Sequence, residues 1–202
     1  MKKLLLCTMV MAMFSFSVPA DTISKKEKKE AARFLKQTKK EVEAAVKGLS
    51  EAQLKFKPSP DVWSVEECLK HIAITEQALW GMTDAALKQP ATPEKRSEVK
   101  WTDDDVMKKI ADRSNKVKTF DPMKPENTPF KSAAEALESF KQNRDKLIGY
   151  IKGTDADLRN HVITMPFTSF DGYQMILFIS AHSNRHMQQI MEVKANPGFP
   201  KN

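Results

Sequence analysis

Apolar side chains recur at three- and four-residue spacing over four stretches of the chain: Phe34, Leu35, Val42 and Val46; Val65, Leu69, Ile72 and Leu79; Val106, Ile110 and Val117; Leu137, Phe140, Leu147 and Ile151. That period places them on one face of an α-helix. Each stretch follows a serine or threonine with an acid three residues on, the pairing that satisfies free amide donors at a helix start. The pairs are Ser24/Glu27, Ser64/Glu67, Thr102/Asp105 and Ser132/Glu135. Gly48 and Gly153 stand where two of these helices should stop. A fifth helix is expected from about Tyr173 to Lys194, entered through Asp171-Gly172 and ended before Pro197-Gly198.

Prolines mark the links between these segments: Pro58 and Pro60, Pro90 and Pro93, then Pro122, Pro125 and Pro129. Only His161 to Phe170 alternates in a strand-like way, and with no evident partner strand it reads as an extended crossover. The expected fold is all-α, a four-helix bundle with one shorter helix inserted in a connection.

The N-terminal residues add a compartment. Lys2 and Lys3 precede an apolar run from Leu4 to Val18, and Val18-Pro19-Ala20 stands ahead of Asp21. This is the pattern of a secretory signal peptide over residues 1–20, leaving a domain over 21–202 that is exported, periplasmic or secreted. The apolar run is shorter than a membrane-spanning helix needs, so no membrane anchor is expected. Cys7 lies inside that run and leaves with it. Cys68 is then the sole cysteine, which excludes an intramolecular disulfide.

Charge changes the picture little. The whole chain carries +7, and without Lys2 and Lys3 there are 31 basic against 26 acidic side chains, or +5. Much of this excess sits between Lys25 and Lys40, where lysines alternate with glutamates and no aromatics interleave. The run reads as a solvated helix face, and no nucleic-acid partner is expected.

The histidines carry the candidate chemistry. With a turn of about 100° per residue, Met175, Ile179, His186, Ile190 and Val193 all fall within roughly 80° of His182, on one side of it. Both histidines therefore occupy the middle of an apolar stripe. Their i, i+4 spacing brings two imidazoles to one face, where they can grip a single ion. His71 lies on the shoulder of the stripe formed by Val65, Cys68, Leu69, Ile72 and Leu79. Three histidines with no obvious fourth protein ligand suit a metal site that keeps an open position. The same spacing also fits hydrogen-bonded core histidines. Glu76 falls within its helix's apolar stripe, roughly 20° from Val65. It is a candidate for orienting a ligand imidazole from behind, or for a structural pairing. His161 reads as a surface or hydrogen-bonding residue.

Two segments, LSEAQLKFKPSPDVWSVEECLKHIAITE over 49–76 and AHSNRHMQQI over 181–190, resemble the DinB-like superfamily of helical-bundle proteins. The first resembles its Leu-rich turn, Trp-Ser helix start and helix-borne histidine. The second resembles its His-x-x-x-His near the C-terminal end. The resemblance implies a four-helix bundle that holds a divalent metal, zinc or nickel, through His71, His182 and His186. It also implies a homodimer as one expected assembly. Relatives of this kind include thiol-dependent transferases and isomerases, and an exported protein has poor access to the cytosolic thiols such enzymes consume. The expected function is thus a metal-dependent hydrolase or group transferase acting on a small molecule, with catalytic residues unassigned. The alternative is a non-catalytic ligand-binding or structural metal protein.

Overall fold

A computed structural model describes residues 22–201; the expected signal peptide, 1–20, lies outside them. Six α-helices are present among the described residues: α1 (Lys25–Val46), α2 (Glu51–Lys55), α3 (Val65–Leu87), α4 (Asp103–Ala111), α5 (Ala133–Gly153) and α6 (Gly172–Lys194). The long ones start where the sequence places them. The Ser24, Ser64 and Thr102 hydroxyls each accept the amide three residues on, and the acid there reaches back to the cap's own amide. The fourth pair forms only half of this box. Ser132 accepts from the Glu135 amide at 3.2 Å, but the Glu135 carboxylate turns to the Lys131 amide at 2.8 Å. The short α2 uses the amide version of the same device, Ser50 with Gln53, which a search for acids passes over.

Side-chain pairs give the helix directions. Tyr173 meets Glu27, Ser180 meets Thr38 and Lys194 meets Ala45, so α6 runs parallel to α1. Lys28 meets Asp155 and Lys39 meets Asp145, so α5 runs antiparallel to α1. Helices α1 and α3 each pack against both α5 and α6, so α1 lies diagonal to α3 across the bundle. With α3 and α5 parallel, the connection over 88–132 has to travel the length of the bundle. It does so along α6, carrying α4 with it. Trp101 meets Gln174, Ala111 meets Gln188, and Arg113 meets Glu192.

The segment read as a lone crossover strand is a β-hairpin. Strands β1 (Val162–Met165) and β2 (Thr168–Asp171) pair antiparallel, with Val162 opposite Asp171 and Met165 opposite Thr168. The run folds back on itself at Pro166-Phe167, a turn without the Gly, Asn or Asp that announces most two-residue hairpins. Gly172 follows at once because a side chain there would press on the Leu158 carbonyl, only 3.0 Å from the position of a Cβ. Arg159 fastens this corner, donating to Glu27, Asp103 and Asp171 at the starts of α1, α4 and α6.

The core divides into two apolar clusters. Leu35, Leu79, Leu147, Phe170 and Ile176 belong to one; Val42, Leu69, Ile72, Phe140 and Ile190 belong to the other. A buried polar layer lies between them along every long helix: Thr38, Glu76, Arg144, Ser180 and Ser183. Arg144 is fully enclosed, and all five of its N–H donors are used. They go to both Glu76 carboxylate oxygens at 3.0 and 2.7 Å, the Leu35 carbonyl at 3.1 Å, the Thr38 hydroxyl at 2.6 Å and the Ser183 hydroxyl. One guanidinium thereby ties all four bundle helices. A buried charge survives only when it is paired and hydrogen-bonded in this way.

Candidate metal centre

The three histidines meet beside this polar layer, His71 from α3 and His182 and His186 from α6. His71 Nε2 lies 3.2 Å from His182 Nε2, and His186 Nε2 lies 3.2 Å from the same atom. Among the described residues they form one group able to share a cation. Three nitrogens about 2.0–2.1 Å from a tetrahedral zinc stand roughly 3.3 Å apart, so the observed spacing fits the ion. His71 and His186 are buried and His182 is half-buried.

The outward nitrogens fix the tautomers. His71 Nδ1 lies 2.7 Å from the Met123 carbonyl, which can only accept, so Nδ1 carries the proton. His186 Nδ1 lies 2.9 Å from Gln189 Oε1. That oxygen also accepts from Arg113 Nη1 at 3.3 Å, which settles the orientation of the amide. Arg113 is held in turn by two bonds to Glu192. Both Nε2 lone pairs are therefore aimed at His182 Nε2. A proton on His182 can serve one of them and leaves the other contact as lone pair against lone pair. A shared cation satisfies all three, so the donor set fits a divalent metal.

Protonation favours the same state. Burial pushes the His71 pKa below its ordinary value, with the Met123 carbonyl working against the shift. Burial, followed by the neighbouring imidazoles, holds His182 and His186 well below it. Three neutral imidazoles are what borderline divalent ions such as zinc and nickel accept. Trp63 walls the centre, its ring 4.8 Å from that of His71 and stacked at 5.9 Å on that of His186.

The other candidates stand apart. Both Glu76 oxygens are given to Arg144; burial raises this carboxyl and the guanidinium opposes the rise. Cys68 is buried in the apolar cluster of Val65 and Leu69, its thiol pKa raised by burial. His161 binds two carbonyls, of Asp157 at 2.6 Å and Gln89 at 3.0 Å, remote from the triad. Sequence reasoning missed Trp63, Met123, Gln189 and Arg113. Gln189 was legible as the polar residue three positions after His186, whereas the Met123 contact is a backbone carbonyl and leaves no mark in side-chain patterns.

The architecture and the three converging imidazoles define a helical bundle suited to a divalent metal. The chain belongs to the DinB superfamily, whose family model matches residues 35–190. It is similar to the uncharacterized protein YuaE of Bacillus subtilis strain 168, 27% identical over 150 residues, covering 74% of this chain and 88% of that protein. Its fold is similar to that of YfiT from Bacillus subtilis, with a TM-score of 0.60, 14% identity, and coverage of 91% of this chain and 95% of that one. YfiT is described as a "probable metal-dependent hydrolase with an unusual four-helix bundle topology".

Proposed function

We propose that this protein is a metal-dependent hydrolase or group transferase acting on a small molecule, with one zinc or nickel ion held by His71, His182 and His186. The observation that carries this reading is the convergence of the His71 and His186 Nε2 atoms on His182 Nε2, each at 3.2 Å, with the Nδ1 protons of His71 and His186 committed elsewhere. The description of YfiT supports it. A divalent ion supplies Lewis acidity toward a substrate oxygen or its attacking water.

This chain's residues contribute position and exclusion. His71 and His186 are locked in one tautomer and one ring orientation, and Trp63 keeps water from their flank. His182 is the most accessible of the three, so substrate approaches on its side. Three protein ligands leave a coordination position for that approach, unlike the closed four-ligand sites of structural zinc.

We also propose that residues 1–20 direct export, on the strength of Lys2, Lys3, the Leu4–Val18 run and the Val18-Pro19-Ala20 boundary. No described helix is long and apolar enough to cross a membrane. The test is elemental analysis of natively purified protein, followed by ester, amide and thiol-transfer substrates with and without chelator. One equivalent of zinc or nickel and a chelator-sensitive turnover are expected. Metal-loaded protein that turns over none of the panel would remove the enzymatic reading, and protein that binds no divalent ion would remove both.

A further inference from the structure

A cationic cleft among the described residues is not at the histidines. It lies along the exposed side of α1 toward the last turn of α5, has a volume of about 820 Å³, and is floored by the buried Ala32. Because α1 is diagonal to α3, this cleft lies away from the α3–α6 seam that carries the metal centre. Seven cations line it against one carboxylate, Glu41. That carboxylate is already engaged, accepting from Gln37 at 2.9 Å and Asn184 at 3.0 Å.

Lys28 also has a partner, Asp155 at 2.9 Å. Lys25, Lys29, Arg33, Lys36, Lys40 and Lys152 make no ion pair with a described residue. An ordinary solvated helix face interleaves its cations with acids at i, i+4, as Lys26 does with Glu30 on the same helix. The cleft departs from that pattern. Its Lys36 and Lys152, from α1 and α5, both line the cleft, and the neighbouring Lys152 ammonium holds the Lys36 pKa below its ordinary value.

We propose that this cleft binds a multiply charged phosphate compound, with Lys36 and Lys152 closing on one phosphate group. Lysine ammonium groups are compact point charges that bind phosphate oxygens from several directions. The volume falls within the range of small-molecule sites, roughly 300–1,000 Å³. From Lys25 to Lys40 the charged stripe runs about 22 Å at the helical rise. It therefore spans more than one phosphate, which a soluble polyphosphate or the headgroups of an anionic lipid surface would supply.

The experiment titrates the full chain with tripolyphosphate by calorimetry, at low and at physiological salt. In parallel the protein is sedimented with vesicles of phosphatidylglycerol and phosphatidylcholine in equal parts. Lys36→Gln/Lys152→Gln should weaken binding by about tenfold or more, the loss expected for two charge-assisted contacts. Lys116→Gln/Lys118→Gln removes the same charge from an exposed loop and should change binding less than about twofold. Chelator-treated wild type should bind as untreated protein does. Binding of tripolyphosphate identifies a soluble phosphate compound, and binding of vesicles alone identifies a lipid headgroup. Binding of neither, an equal loss in both double variants, or loss on chelation would overturn the proposal.

Discussion

Arg144 on α5 grips Glu76 on α3 through two parallel hydrogen bonds, at 3.0 and 2.7 Å, at a depth where both side chains are almost wholly enclosed. The pair stands beside the metal centre, since Ser183, which also accepts from Arg144, directly follows His182 in the chain. It therefore separates two roles that a sequence cannot: a carboxylate that supports the helices and one that orients an imidazole.

Removing Arg144 leaves a buried carboxylate without a counter-ion. Arg144→Ala should cost about 3–5 kcal/mol of stability. Glu76→Gln keeps an acceptor for the guanidinium and should cost less while retaining the metal. Denaturant melts with metal analysis on each variant check this. A folded Glu76→Gln protein without metal would assign Glu76 to the imidazoles instead.

If His71, His182 and His186 share one ion, each single change to Ala should weaken metal binding by more than the roughly 10–100-fold that outer partners carry. His161→Ala should leave it unaltered. Chelator should lower the melting temperature of the wild type but not of the triple variant, because ligand-linked stability disappears with the site. Equal metal content in every single variant would end the three-histidine assignment.

Gln189 holds the Nδ1 proton of His186, so Gln189→Leu should weaken metal affinity by roughly 10–100-fold with little change in fold. Arg113→Ala, one contact further out, should have a smaller effect in the same direction. Competition with a fluorescent chelator measures both. An unchanged affinity in Gln189→Leu would show that the tautomer needs no such partner.

The depressed pKa values of the triad set a pH dependence. The unfolded chain binds protons on these residues below about pH 6.5, while the metal-free folded protein takes them up only at lower pH, so their contribution is complete above about pH 6.5. It is lost as pH falls through and below it. Chelated wild type should therefore lose stability between about pH 7.5 and pH 5.5 more steeply than the His71/His182/His186→Gln variant. Parallel slopes would contradict neutral, buried imidazoles.

Much of this fold was legible because its signals are local. The hydroxyl at 24, 64 or 102 and the acid three residues on mark a helix start wherever the chain goes next. The i, i+4 spacing of His182 and His186 survives into three dimensions because a helix is rigid, and His71 was found from its place on an apolar shoulder. What escaped depends on distant meetings. The β1–β2 pairing turns on Pro166-Phe167, which carries no turn signature, and Arg144 has no sequence neighbour that reveals Glu76, 68 residues away. The clustering of Lys36 with Lys152 is of the same kind.

The parallel course of α3 and α5 obliges the chain to spend residues 88–132 on a return journey, and that journey ends over the histidines. The Met123 carbonyl and the Arg113 guanidinium, both on this stretch, reach His71 and Gln189. The floor of the centre is thus helix and the ceiling is connector, two materials under different constraints. Ligand positions on the floor cannot shift without disturbing the packing of α3 and α6. The ceiling meets them through one backbone carbonyl and one guanidinium, so exchanging the Met123 side chain leaves the contact to His71 standing, whereas exchanging Arg113 removes the contact to Gln189.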